Sequence, residues 1–277
     1  MSSGQHFNIS TKPTLQSSSL VVGWSEDAGN MGSKVIAYLN QKLKGEEFEE
    51  FEPEDFFSLG GVMIKDDLVQ FPESKFYAVP RNDLIIFHSN PPRFEWYKFL
   101  NSILDVAEHY CKLNELCTIG AMVTMSAHTA PRELLTIVNS SEMKESLNQY
   151  DLNKDMDYQT PHSERPTLSS FLLWIAKRRN VPGISIWVTT PFYLVTMGDP
   201  QAQRKLLSFL DKRFCLKLDF TDLDEEIRKQ NKNLAQARFH SSEIDDYIRR
   251  LESNLRLSEE ENANMLRQVE ELLKKRD

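Results

Sequence analysis

Asp27 and His128 are the side chains of this sequence best placed to exchange a proton. Asp27 follows the apolar stretch "LVVGW" (20–24), and His128 follows "TIGAMVTM" (118–125). A carboxylate and an imidazole within hydrogen-bond reach form a general acid–base pair. Asn30, Gly32, Ser89 and Thr129 stand in the same kind of position, just past apolar runs. In a parallel sheet, the loops after the carboxyl ends of the strands line one crevice. These six residues therefore define a candidate pocket rim, suited to an enzyme of nucleoside phosphorylase, hydrolase or ligase type. No motif forces the pair together, and a single histidine at a strand end serves structure as readily as chemistry.

Glycines at 29 and 32 raise a second chemistry, the binding of phosphate at a strand-to-helix turn. A dinucleotide fingerprint reads G-x-G-x-x-G, but Asp27 stands where its first glycine belongs. A Walker loop ends Gly-Lys-Ser or Gly-Lys-Thr, but Ser33 separates Gly32 from Lys34. The start of a helix carries about half a positive charge. Asn30 is suited to cap it, for about 1 kcal/mol, and Glu26 and Asp27 bring negative charge of their own. The turn reads as a self-capped corner, and no cofactor or metal is expected.

Four nearly continuous apolar runs, Leu20–Gly23, Leu84–Phe87, Thr118–Met125 and Ile184–Thr189, have the character of strands covered on both faces. Amphipathic helices alternate with them. Val35, Leu39 and Leu43 share one face, as do Phe99, Ile103, Val106 and Tyr110, and residues 166–180 and 199–214 supply two more. Strands alternating with helices predict an α/β fold with a mainly parallel sheet. Shorter extended pieces at 48–51, 62–65, 76–79 and 134–138 would enlarge the sheet, and polar residues 139–166 form an excursion with room for one short helix.

Beyond Pro200 no Gly or Pro occurs. From Leu223 onward a seam with alternating spacings of four and three runs through Ile244, Ile248, Leu251, Leu255, Met265, Val269 and Leu272, a coiled-coil pattern. Serines at 241 and 242 and the Ser258/Glu261 capping-box spacing interrupt it, so one rod, a hairpin or three helical pieces are open. The tail either folds back on its own chain or pairs with another protein. The expected organisation is a flexible segment 1–17, an α/β domain 18–220 and a helical region 221–277.

A net charge of −8 among 277 residues disfavours a nucleic-acid partner. No apolar run reaches the roughly 20 residues of a membrane span, and the first residues lack the pattern of a signal peptide. Cys111, Cys117 and Cys215 have no metal-ligand spacing and read as buried free thiols. His109 and His240 fall on helices and His162 in the polar excursion, where solvated or half-buried roles are expected. A cytoplasmic setting fits these features.

"VVGWSEDAGNMGSKVIAYL", "PEDFFSL" (53–59), "PRNDLIIFHSNPPRFEWYKF" (80–99), "TIGAMVTMSAHTAP" (118–131) and "GISIWVTTPFYL" (183–194) together resemble, in order, the proteasome assembly chaperone 2 family over about residues 18–230. The resemblance implies a three-layer α/β/α fold of phosphorylase type, homo-oligomers with a trimer favoured, and protein binding without known catalysis. The family's "HTRP" element reads His128-Thr129-Ala130-Pro131 here, without its arginine. The acidic residue of its "EP" element is replaced within Asn90-Pro91-Pro92, and a Gly-Pro-x-Gly element is lost in 158–170. Members that dock on proteasome rings end in a hydrophobic-Tyr-any tripeptide, whereas this sequence ends Lys275-Arg276-Asp277.

Overall fold

The computed structural model describes residues 13–52, 55–58, 62–65, 67–110, 112–153, 157, 159–160 and 164–274; the side chains of 63, 65 and 272–274 fall outside that description, as do Cys111 and His162. In chain order the elements are β1 (Ser17–Trp24), α1 (Met31–Leu43), β2 (Glu46–Glu50), β3 (Met63–Lys65), β4 (Leu68–Gln70), β5 (Ser74–Val79), β6 (Leu84–Ser89) and α2 (Trp96–Tyr110). There follow β7 (Lys112–Thr124), β8 (Leu134–Val138), α3 (Ser141–Ser146), α4 (Leu168–Arg178), β9 (Gly183–Pro191), α5 (Pro200–Phe214), α6 (Thr221–His240), α7 (Ser242–Glu252) and α8 (Glu259–Lys274).

Seven strands form one mixed sheet in the order β2-β5-β6-β1-β7-β9-β8. Strand β1 pairs in parallel with both β6 and β7, and beyond β6, strand β5 and the edge strand β2 add antiparallel. At the other edge, Asn139 N–H bonds Gly183 O and Thr189 N–H bonds Glu133 O, so β8 runs antiparallel to β9. The apolar runs of the sequence are the central parallel strands, and the reason is burial on both faces. Leu20, Val22 and Trp24 join the cluster that holds Phe99, Ile103 and Leu104 of α2 and Leu172, Leu173 and Ala176 of α4. The alternate positions point the other way, where a Cβ on Gly23 would lie 2.6 Å from Cγ1 of Ile36 in α1. The extended piece at 62–65 does not enlarge this sheet. Its β3 pairs only with β4, an element the sequence did not announce, in a separate two-stranded ribbon.

By density of internal contacts the chain divides into two compact units. The first comprises Met1–Asp27, Gly32–Gly120 and Leu135–Ile186, and the second Ala28–Met31, Ala121–Leu134 and Trp187–Asp277. Strands β7 and β9 contribute residues to both. In the first unit, Leu15 is buried and β1 begins at Ser17, within the segment expected to be a tail.

In the second unit the helical tail is three pieces. Ser241 ends α6 and caps α7, its hydroxyl accepting from Ile244 N–H at 3.2 Å. The Ser258/Glu261 capping box forms as its spacing predicts: Ser258 N–H donates to Glu261 Oε2 at 2.7 Å and Glu261 N–H to Ser258 Oγ at 3.2 Å. Ile244, Ile248, Leu251, Met265 and Val269 are buried against Ala127, Tyr193 and Leu194 of the same unit, so these seam residues are spent within the chain. Leu255 departs from that pattern, being 56% exposed in the link between α7 and α8, and the side chain of Leu272 lies outside the described residues. Cys117 is buried as expected, but Cys215 is exposed. It ends α5 in a left-handed conformation, φ 52°, where the chain turns away from the helix.

The tightest backbone approach lies where α1 starts. A Cβ on Gly32 would stand 2.5 Å from the carbonyl oxygen of Trp24 and 2.9 Å from its nitrogen. Gly32→Ala is expected to destabilise the protein by about 1–3 kcal/mol through this overlap, measured as a lowered urea midpoint with unchanged slope.

Candidate functional site

In the first unit, β1 ends at Trp24 and the chain turns through Ser25–Asp27 before α1. Asp27 Oδ2 accepts the backbone N–H of Gly32 at 2.9 Å, so a carboxylate occupies a donor that an incoming phosphate would need. The corner is self-capped, but by Asp27 and not by Asn30. Asn30 is exposed and takes a left-handed conformation, φ 53°, as the last residue of the short turn before α1. Gly29, with φ 70°, sits in the left-handed region that favours glycine, and a Cβ there would press on Val195 O at 3.2 Å.

Strand β6 brings His88 beside the same turn. Its Nε2 lies 2.9 Å from Ser33 Oγ and 3.2 Å from Ser25 Oγ, and burial holds its pKa below the usual imidazole value, aided by the charge of Lys75 against that of Glu73. A serine on a neutral imidazole is the first half of a nucleophilic dyad. The second half, a free helix-start amide to receive an oxyanion, is compromised at Gly32 by Asp27. Ser89 is fully buried instead of lining a rim. Its hydroxyl donates to Asn90 O at 2.7 Å and meets Ser74 Oγ at 2.8 Å, closing the ends of β5 and β6.

The second unit holds a denser network, built on the loop after β7. Arg132, its side chain 3% exposed, donates from Nε to Oδ2 of the fully buried Asp199 at 2.6 Å. Asp199 also caps α5, with Oδ1 accepting from Ala202 N–H at 3.0 Å. From Nη1, Arg132 donates to His128 O at 3.1 Å and Ala130 O at 2.8 Å, fixing the loop's path. His128 then meets the fully buried Tyr193 twice: its backbone N–H donates to the phenol oxygen, and Nδ1 lies 2.9 Å from that oxygen. The backbone N–H can only donate, and Nδ1 is the one acceptor within reach of the phenol proton among the described residues, so that proton is directed to Nδ1 and the ring proton resides on Nε2. Burial, with the charges of Arg238 and Arg132, lowers the His128 pKa to about 4. At neutral pH the ring is uncharged and its basic nitrogen is already engaged.

Thr129 donates its hydroxyl proton to Glu252 Oε1 at 3.0 Å. Glu252 is gripped by Arg238, at 2.7 and 3.2 Å, and Arg238 Nε also reaches Asp245 Oδ1 at 2.9 Å. The strand-end loop is thereby bonded to α6 and α7. Alongside it is a cleft of about 390 Å³ lined by His128, Thr129, Gln201, Asn231, Ala235 and Arg238. Its one cation is neutralised by two carboxylates and its imidazole is uncharged, so it presents neutral donors and acceptors.

Each of the two side chains singled out for proton transfer has a partner inside its own unit: Asp27 Oδ2 accepts from Gly32 in the first, and His128 Nδ1 meets Tyr193 in the second. Sequence reasoning missed Tyr193, Arg132 and Asp199. Asp199 stood ahead of Pro200 at a helix start, a cap signal, but nothing local pairs it with Arg132 67 residues away. Among the described residues no group of histidine, cysteine and carboxylates is arranged to hold a metal ion, and no helix is long and apolar enough to cross a membrane.

A mixed sheet flanked by helices, with a helical extension bonded to a strand-end loop, defines an α/β protein of a class with many solved structures. A protein of unknown function from Mycobacterium tuberculosis superposes with a TM-score of 0.76 at 20% identity, over 91% of this chain and 92% of that one. A proteasome-assembly chaperone homologue from the same organism gives 0.68 at 18%, over 83% and 99%. Pyrococcus furiosus PbaB, described as an archaeal proteasome activator, gives 0.65 at 20%, over 84% and 98%. The PAC2 family model matches residues 20–238, and the chain belongs to that family. Comparison with curated protein sequences finds no match.

Two outcomes follow from the network. Asp199→Ala leaves the Arg132 charge buried and unpaired, and is expected to cost about 3–5 kcal/mol in a denaturation experiment. His128 titrates near 6.5 when unfolded and near 4 when folded. Between those values the unfolded chain binds a proton that the native one refuses, so stability falls as pH drops from about 6.5 to 4, by up to about 3 kcal/mol. His128→Asn is expected to flatten that part of the stability–pH curve.

Proposed function

We propose that this protein acts without catalysis, as a self-associating protein-binding factor of assembly-chaperone type in the cytoplasm, with a trimer the favoured oligomer. Family membership supports the reading, and so do the relatives described as a proteasome-assembly chaperone homologue and a proteasome activator. The observation that carries it is the state of the reactive groups. His128 spends its basic nitrogen on Tyr193, and Asp27 spends a carboxylate oxygen on Gly32. A general base must reach the proton it abstracts, and here the imidazole's Nδ1 and one oxygen of the carboxylate are committed to holding loops in place.

Contact with a partner through the tail is part of the same proposal. Its seam is turned inward through Ile244, Ile248 and Leu251, so contacts with another protein fall to outward residues such as Leu255 and Phe239, 56% and 84% exposed.

Light scattering on the full chain is expected to give a mass severalfold above the 32.1 kDa protomer. The same preparation, offered a panel of nucleosides with and without phosphate, is expected to turn none over. A monomer would remove the self-association, and turnover abolished by His128→Ala would replace the reading with an enzymatic one.

A further inference from the structure

We infer that the outer face of α2 and α4 is a docking strip for an acidic peptide segment carrying apolar anchors, supplied by a partner protein; this rests on the protein-binding reading above. The strip lies within the first unit. Tyr97 on α2 and Phe171 on α4 have ring centroids 6.3 Å apart, and Phe171 and Trp174 5.6 Å apart. Phe171 is partly buried against the core, but the two ends of the ladder stand in solvent: Tyr97 is 55% and Trp174 45% exposed. Large aromatic rings left in water at adjacent positions are unfavourable unless something covers them.

Its flanks give the occupant's charge. The Arg178 guanidinium lies 4.9 Å above the Trp174 ring, and that of Arg165 5.5 Å above Trp96. Neither arginine has a carboxylate partner among the described residues. Arg179, next in sequence to Arg178, shows the contrast: it is bound by Asp105 at 2.6 Å and Glu108 at 3.0 Å and ties α4 to α2. The chain thus neutralises the cation it uses internally and, among the described residues, leaves two others stacked, exposed and without a carboxylate on a protein of net charge −8. Stacked arginine keeps its donor edge available for bidentate capture of a carboxylate. Exposed Trp, Tyr and Arg together are the residues that most often dominate binding energy at protein interfaces. Carboxylates answer the arginines, and aliphatic or aromatic side chains cover the ladder.

The test pans a displayed random-peptide library against the full chain, with counter-selection on a Trp174→Ala/Arg178→Glu double variant whose circular dichroism matches wild type. The expected survivors are rich in Asp and Glu with interspersed large apolar residues. Synthesised, they are expected to bind the wild type about tenfold more tightly than either single variant, and more weakly as salt is raised. Survivors that are basic or uncharged, equal binding to the variants, or no counter-selected family at all would overturn the inference. Preferential binding of oligothymidine at the same residues would overturn it in favour of a nucleic-acid platform. Self-assembly that persists in the double variant leaves the protein-binding reading standing while the strip is judged by the peptides alone.

Discussion

The buried ion pair between Arg132 and Asp199 is the constraint on which the second unit depends. Two opposite charges with almost no exposure are stable only because each carries further hydrogen bonds beside the ion pair. Asp199 divides its oxygens between the arginine and the first turn of α5. Arg132 divides its donors between the carboxylate and two carbonyls of the loop after β7. Those carbonyls set the path of His128, which sets the hydrogen bonds of Tyr193, which is part of the apolar cluster under α7 and α8. Polar and apolar order in this unit are therefore one structure. Such a pair contributes less to net stability than to a single defined arrangement, a role attested for buried polar networks elsewhere.

The first unit is organised by close approach instead of charge. Gly23 and Gly32 let α1 sit directly on β1, and Trp24 on the other face of the strand reaches across to α4, where its indole N–H donates to Ser169 Oγ at 3.0 Å. Phe51, Phe76 and Phe87 then pack with Phe99 of α2 in tilted and edge-to-face pairs, with centroids 4.4 to 6.2 Å apart. Aromatic pairs in this geometry add to simple burial. The edge strand β2 is marked by exposed Glu46 and Glu47, charges that discourage edge-to-edge pairing with another sheet.

The parallel centre of the sheet was legible because double burial leaves a continuous apolar run, as in β1 and β6. The start of β7 was not. Lys112, Asn114 and Glu115 are polar, and it is the backbone ladder to Ser17–Ser19 that makes them a strand. Helix breaks in the tail were legible through serine caps, whose chemistry is local. Of the candidate site, residue types were readable and pairings were not. Asp27 could be foreseen at the corner because its partner is five residues away. His128 could be named, but its state is fixed by Tyr193 65 residues later, and periodicity carries no information about such a meeting.

A single residue, Ser241, separates α6 from α7 and serves as terminus for both. Each residue of a helix advances its side chains by about 100° around the axis. One insertion or deletion at this junction would swing Ile244, Ile248 and Leu251 out of phase with the cluster they fill. The link between α7 and α8 is six residues long, 253–258, enough to absorb a change of length before α8 restarts from its own capping box. Among natural homologues, drift in chain length within the tail should accumulate in that link and spare the serine hinge.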